Sequence, residues 1–535
     1  MNEPLPPVTE TAAPRPEASA ARSAHAAGDL GAQAVAGWMP ALNSADTDWL
    51  PERDLSVARI RDLVRNEGWA QSAVDRLVDM TVGATFRLSA KPDARGLGIP
   101  EEAAKEFAQE IEAKWRSFAE DPTFRNDAQR RLPFVGQIGL LAREMVQAGE
   151  GLAQLRWIPR AGWPYATCLQ VIDVDRLSNP YGKSDDEQLR GGVELDENGA
   201  PIAYHLRGSH PGERWTSPAA YRWDRIPRWD DVYGWERPKM LHIFEPHRPD
   251  QTRGVSRLVA SLVKTRLLSR HSEAEVKAAA INGSIVGAIY TQLGQEFAAE
   301  VLGGDHSRAG VDWVGLNEAR GAFYGDRRVL DDARFLTLFP SDKLEMNVNP
   351  RNTVGFPAFQ TAFLQNFAAS LGLSYEQLSM DWSRTNYSSA RAALNEVWRA
   401  IGRLRATITW GAAQPIYTAW LEDALDTGDI VAPPGAPDFY EAPAAYVRSE
   451  WIGPARGYVD PVKEAQAAAL RIKARISTLE REIAEQGGDI NLVLPQLARE
   501  AAALGALGLS AAETDLAVVA PTDGPAADRR PAEEG

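Results

Sequence analysis

The chain is poor in the residues that staple, anchor or make a protein strongly basic. It has one cysteine, Cys168, in 535 residues, so no internal disulfide can form. That residue sits in YATCLQVI, an apolar strand-like run, where it reads as a buried small hydrophobe rather than a reactive thiol. Such cysteine usage suits synthesis in a reducing cytoplasm. No run of about 18 apolar residues occurs, so no membrane span is expected. The opening MNEPLPPVTETAAPRPEASA has neither the basic start nor the apolar core of a signal peptide. Positive charge is also short: 58 Lys and Arg stand against 73 Asp and Glu, a formal net charge of −15. That balance disfavours tight DNA binding through phosphate neutralisation, and with it the repressor and histone-like classes.

Catalytic signatures are missing too. Gly182-Lys183-Ser184 matches the tail of a phosphate-binding loop, but the earlier glycine that loop requires would fall at Leu177. There is no G-x-S-x-G, no H-E-x-x-H and no paired C-x-x-C. His242 and His247 bracket Phe244 and Pro246, and a strand end with a proline break does not aim two imidazoles at one metal. His205 and His210 lie in a loop-like stretch with no carboxylate cluster matching a metal site. Asp46, Asp48, Asp185 and Asp186 read as solvated loop charges. No cofactor or metal is expected.

Tryptophan, by contrast, is plentiful at 16 residues, six of them (Trp157, Trp163, Trp215, Trp223, Trp229, Trp235) close together. Such a series can stack the bases of a single strand, but only beside a basic groove. This region mixes Arg with Asp, so packing in a core or between subunits is the preferred reading.

Apolar residues at 44% and charged residues at 24% are ordinary globular composition, and the length suits three or more compact units. Residues 1–45, rich in Ala, Pro, Ser and Glu, read as a disordered arm. Asp54 is a good N-cap for a helix carrying Val57, Ile60 and Val64 on one face. A second helix groups Val74, Leu77 and Val78, and TFRLSA signals a strand. Phe107, Ile111, Trp115 and Phe118 mark a helix over 101–119. A helix, a Gly turn and a strand follow in GQIGLLAREMVQAGEGLAQLRWIP. Asn198-Gly199 supplies the turn of a hairpin. Mixed strands and helices without strict alternation make 46–254 an α+β domain. From Val255 one apolar stripe predicts a long helix that ends before Asn282-Gly283. Short strand-like runs occupy 282–351.

The stretch 359–408 is the most informative. Phe359, Phe363, Phe367 and Leu371 recur every four residues. Ala390, Leu394, Val397, Trp398, Ile401 and Leu404 then follow helical spacing. Between them lies a polar interruption, DWSRTNYSS. Asn386 and Ser388 are candidate caps of the second helix, Ser388 being preferred, and Arg384 reads as exposed. VAPPGAPDFYEAP opens a Pro-rich connector, 431–454. Ile472, Ile476, Leu479 and Ile483 form a helical seam closed by Gly487-Gly488. A short helix covers about 491–504, and 505–535 reads as a disordered tail.

Segment 359–408 resembles the lambda-type family of tailed-phage portal proteins. So do MLHIFEPHRPDQTRGVSRL at 240–258, SVARIRDLVRNEGWAQSAVDRLVDMTVGATFRLSAKPD at 56–93, and LQVIDVDRLSNP at 169–180. The passages occur in the family's order, from about Leu50 to about Ala503. The resemblance implies an α+β portal fold. Its parts would be an α+β wing (46–254), a first stem helix (255–281), a small mixed α/β clip (282–351) and a second stem helix (352–372). A tunnel loop region (373–388), a long wing helix (389–430), the connector and a helical crown (455–504) would follow. It implies that Asp381, Trp382, Ser383, Arg384, Thr385 and Asn386 line a DNA channel, with Arg384 touching phosphates in passing.

The implied function is non-enzymatic: a homo-oligomeric ring, of twelve subunits in this family, at one capsid vertex. Double-stranded DNA would cross it without sequence specificity during packaging and ejection. The terminase large subunit would dock on the clip and supply ATP hydrolysis, and head-completion or adaptor proteins would replace it. Major capsid and scaffold or protease proteins are the other expected partners. An acidic ring suits moving DNA, because repulsion centres the duplex. The expected location is the virion, after synthesis in the host bacterial cytoplasm. Two alternatives are a head–tail adaptor or other head protein without a channel, and the terminase ATPase–nuclease. The latter needs a complete phosphate loop and an acidic metal cluster.

Overall fold

A computed structural model describes residues 38–284, 288–291, 342–345, 355–383, 385–457 and 460–507, with isolated positions near 27–37 and at 318 and 322. The expected tail and clip lie almost wholly outside the described residues, as does most of the expected arm, whose end at 38–45 is described and leads into the first helix.

Helix α1 (Ala45–Trp49) is capped by Ser44, whose Oγ accepts from the Thr47 amide at 3.1 Å. Then α2 (Arg53–Asn66) buries Val57, Ile60, Leu63 and Val64, and α3 (Gly68–Thr81) buries Ala70, Ala73, Val74 and Leu77. The N-cap of α2 is Glu52, not Asp54. An acid suits any place in a first turn through the helix dipole, so the acid alone does not fix the start. After β1 (Arg87–Ala90), α4 (Glu101–Ala119) buries Phe107, Ile111, Trp115 and Phe118, the expected face. Next, α5 (Phe134–Ala148) ends at Gly149, and β2 (Glu150–Trp157) begins at once.

Strand β2 is the centre of a three-stranded antiparallel sheet, flanked by β3 (Thr167–Ile172) and, much later, by β10 (Met240–Phe244). The hairpin reading holds in a second sheet. It orders β4 (Leu189–Arg190), β5 (Val193–Leu195), β6 (Pro201–Arg207) and β7 (Trp223–Pro227). Its turn has Gly199 at φ +80°, and Asp196 Oδ1 accepts from the amides of Asn198 and Ala200 at 2.9 and 2.7 Å. A two-stranded ribbon, β8 (Trp229–Val232) and β9 (Trp235–Pro238), leads to β10 (Met240–Phe244).

The first long helix, α6 (Val259–Ser284), starts later than expected and runs through Asn282-Gly283. Residues 252–258 are spent on contacts instead: Ser256 Oγ donates to Val146 O at 2.7 Å and accepts from the Leu258 amide at 3.1 Å. Strands β11 (Ala288–Thr291) and β12 (Asp342–Glu345) pair antiparallel. The second long helix, α7 (Gly355–Leu371), precedes the short α8 (Tyr375–Ser379) and the long α9 (Tyr387–Ile408). One π turn, Thr409–Ala413, joins α9 to α10 (Gln414–Asp426). The cause is local. Pro415 has no amide hydrogen, so the α-helical bond to the Gly411 carbonyl cannot form. Ile243 packs where a side chain at 411 would sit, 2.7 Å from the Cβ that Gly411 lacks.

The stretch expected as a connector returns to the body. There β13 (Ser449–Ile452) pairs antiparallel with β1, Arg87 opposite Ile452. Last come α11 (Pro461–Lys473), α12 (Leu479–Glu485) and α13 (Ile490–Ala506).

The largest core joins the ends of the chain. The Trp115 ring lies 4.9 Å from Phe134, 5.1 Å from Trp420, 5.4 Å from Phe118, 5.7 Å from Tyr417 and 5.8 Å from Trp451, centroid to centroid. Four of the five pairs are edge-on or nearly so, the arrangement ring quadrupoles favour. The clustered tryptophans of the sequence divide instead. Trp163 stacks on Phe118 and Trp235 meets Phe439 edge-on, whereas Trp215 is 85% exposed.

Trp420→Ala should cost about 3–5 kcal/mol, since the ring is fully buried. Gly402→Ala, in open space on α9, should add up to about 1 kcal/mol through helix propensity. Denaturant midpoints measure both.

Candidate functional site

Two passages of the resemblance fall on distinct places: the junction before α6 and the loop between α8 and α9. The junction is built on two glycines. Gly149 takes φ +88°, and a Cβ there would meet Ser256 N at 2.4 Å. A Cβ on Gly254 would meet Gly149 O at 2.2 Å. Only backbone against backbone fits.

This approach sinks Glu150 completely, at 0% exposure. Its Oε1 accepts from Arg53 Nε and Nη2 at 3.1 and 2.8 Å, and from Arg253 Nη2 at 2.6 Å. Its Oε2 accepts from Arg253 Nε at 3.0 Å, His242 Nε2 at 2.8 Å and the Gly254 amide at 2.9 Å. Arg253 spends its other N–H groups on the carbonyls of Leu177, Gly191 and Val174. Burial alone would push the Glu150 carboxyl up, but the charges of Arg253 and Arg53 and the His242 bond hold it well below the ordinary range. Burial pushes His242 down, so it is the neutral imidazole that donates. The arrangement is structural: each Glu150 oxygen already accepts from at least three N–H groups.

The loop begins where α7 ends, with Gly372 at φ +74°. The α7 residues Leu364, Phe367, Ala368 and Leu371 are buried, whereas Phe359 near its start is 45% exposed. Ser374 and Gln377 close a capping box at the start of α8. Met380 at φ +58° turns the chain out. Among the expected channel residues, Asp381 Oδ1 accepts from the Ser383 amide and hydroxyl at 3.0 and 2.6 Å. Thr385 Oγ1 donates to Glu376 at 3.0 Å. Trp382 is 37% exposed. Asn386, not Ser388, caps α9: its Oδ1 accepts from the Ser389 amide at 2.9 Å. Ser388 falls inside the helix, two residues past the cap. Arg384 lies outside the described residues.

One expectation about histidines needs correction. His210 does sit beside carboxylates, its Nε2 3.3 Å from Asp175 and 3.8 Å from Asp173. It is a poor metal site. His210 Nδ1 accepts from the Gly212 amide at 2.9 Å, so Nε2 carries the proton. Arg61 already pairs with Asp173, Asp175 and Glu144. Near Lys183, Asp185 Oδ1 accepts from Asn179 Nδ2 and the Gly191 amide, both at 2.8 Å, which puts a carboxylate where a phosphate would need donors.

The family described as phage portal protein, lambda family, matches residues 32–405. The chain belongs to that family. A portal protein of Escherichia phage N15 is 33% identical over 491 residues, covering 90% of each chain. Portal protein B of Escherichia phage lambda is 32% identical over 483 residues, 88% of each. Among solved structures, the neck of an empty gene transfer agent particle aligns with TM-score 0.46 at 14% identity, covering 84% of this chain and 95% of that one. Like its named relatives, this portal protein is a structural phage protein and not an enzyme. The family match contains both the Glu150 junction and the 373–388 loop. Reading the portal sequence alone missed Glu150 and Arg53. The only signals were a glycine before Glu150 and the Arg253-Gly254 pair, and neither says which charges meet.

Glu150→Gln should cost about 3–5 kcal/mol, because it leaves the buried Arg253 guanidinium without its carboxylate and leaves Arg53 only Asp54 and the more distant Asp175. Glu150 has a depressed native pKa. Its contribution is therefore complete above the unfolded carboxylate's value of about 4.3 and is lost as pH falls through the native one. Acid titration of stability should show this loss in the wild type and less of it in the variant. Asn386→Ala should cost about 1 kcal/mol and Ser388→Ala much less, read from thermal unfolding.

Proposed function

We propose that copies of this chain close into a ring at one capsid vertex and that double-stranded DNA passes through its axis during packaging and ejection. The observation that carries the reading is the two-way 90% coverage by a relative named portal protein. In this reading α6 and α7 are the stem helices, the residues between them are the clip, and α11–α13 belong to the crown. The clip receives the terminase large subunit and later a head-completion or adaptor protein, while capsid and scaffold proteins surround the wing. The 373–388 loop faces the channel. A net charge of −15 supports a channel that does not hold DNA tightly.

Electron microscopy of the purified protein tests the ring. Closed rings with a continuous axial hole are expected without nucleotide or metal, and monomers at all concentrations, even with scaffold and shell proteins supplied, would refute it. No ATPase above background is expected; turnover abolished by Lys183→Ala would favour the motor instead.

Arg384→Glu should leave rings intact and impair packaging or DNA retention. A polar-loop substitution costs about 0.5 kcal/mol or less in stability. Repeated around a ring, it sets a band of negative charge in the path of a polyanion. The defect should weaken as salt rises, since screening acts over about 8 Å at physiological strength. Normal packaging in the variant would remove Arg384 from the channel.

A further inference from the structure

The helices after residue 460 are held to the body by polar contacts. Among the described residues, no apolar side chain beyond Ile452 is buried, and α11 and α13 bury no residue of any kind. The unit keeps its own shape partly through Arg471, whose Nε and Nη2 donate to Glu482 at 2.8 and 2.6 Å. Its links to the body are Lys91 with Glu480, Arg391 with Glu464 at 3.1 Å, and the Arg456 amide with Glu485 O at 3.2 Å.

The deepest link is at Glu112 of α4. Its Oε1 accepts from the Ala90 amide at 2.9 Å, and its Oε2 from Asn491 Nδ2 at 3.2 Å. Asp489, the N-cap of α13, accepts from the Asn491 amide at 2.8 Å. Glu112 is 5% exposed and Asp489 3%, and both line one cavity of about 90 Å³ on the seam. The other charged groups around it are Arg87 on β1, Arg116 and Glu120 on α4, and Lys91, which is drawn toward Glu480 on α12. From α10, the buried Tyr417 hydroxyl feels the Glu112 charge.

We propose that Glu112 is a proton-binding site that clasps the C-terminal helices to the body. A proton on Glu112 removes its repulsion with Asp489, and loss of that proton loosens the seam. Burial first, then the charge of Asp489, push the Glu112 carboxyl up to about 7 against the lowering pull of Ala90, Asn491 and Lys91. When the helices lift away, Glu112 regains water and its pKa falls toward about 4.3. The clasp's contribution is therefore complete below that value and lost as pH rises through about 7. An apolar seam would not titrate. This one does because burying Glu112 and Asp489 together is unfavourable when both are charged. The clasp is a property of one chain and does not rest on the ring.

Hydrogen–deuterium exchange of the full-length protein tests it, at about pH 6 and about pH 8.5 and corrected for intrinsic rates. In the wild type, peptides from 461–507 should exchange up to about tenfold faster at the higher pH, the change such a pKa difference allows. Glu112→Gln should hold them slow at both. Asp489→Asn keeps a good cap and should flatten the pH response as well. Equal wild-type exchange at the two pH values overturns the proposal, as does a full pH response in either variant.

Discussion

The contact of Gly149 with Gly254 fixes most of what surrounds it. Two backbones approach until neither tolerates a Cβ, and the buried space beside them is filled by one carboxylate and two guanidiniums. Four separate stretches meet there: the start of α2, the start of β2, strand β10 and the lead into α6. Burying these charges is costly, and removing the carboxylate strips Arg253 of its ion-pair partner. The cluster also sets the direction in which α6 departs, because Arg253 is bound to three carbonyls and its neighbours have no room to shift.

The rest of the body closes around an aromatic centre drawn from both ends of the described chain. Trp115 comes from α4, Tyr417 and Trp420 from α10, and Trp451 from β13. The pairing of β1 with β13 holds these ends together. The C-terminal helices lie outside this economy of apolar burial, and their position depends on groups whose charge responds to solvent. One chain therefore contains two kinds of seam, one indifferent to pH and one tuned by it.

Periodicity made the helices legible, because burial of one face leaves a mark at every third or fourth residue. The 101–119 helix and its four buried aromatic and aliphatic residues were readable without any structure. So was the Asn198-Gly199 hairpin, whose turn chemistry is local. What escaped was long-range or degenerate. The partner of β1 lies more than three hundred residues away, and nothing in SEWI names it. Glu112 and Glu150 look like any other acids in a charged chain, yet one is held ionised and the other is pushed toward neutrality. Asn386 and Ser388 are both cap candidates in sequence, where Ser388 is preferred, and the backbone decides for Asn386. The carboxylates beside His210 are equally invisible, since 35 residues separate it from Asp175.

The single π turn at Thr409–Ala413 gives the long helix a second identity. Each α-helical residue advances the side chains by about 100°, so one extra residue rotates everything after it by that amount. Before the turn, Val397 and Ile401 face the cluster shared with α3 and α7, and Leu404 and Ile408 already reach the aromatic core. After it, Ile416, Tyr417 and Trp420 face the aromatic centre. The turn acts as a phase shifter, re-aiming the apolar stripe of one nearly continuous rod so that it stays on the aromatic core beyond Ile408.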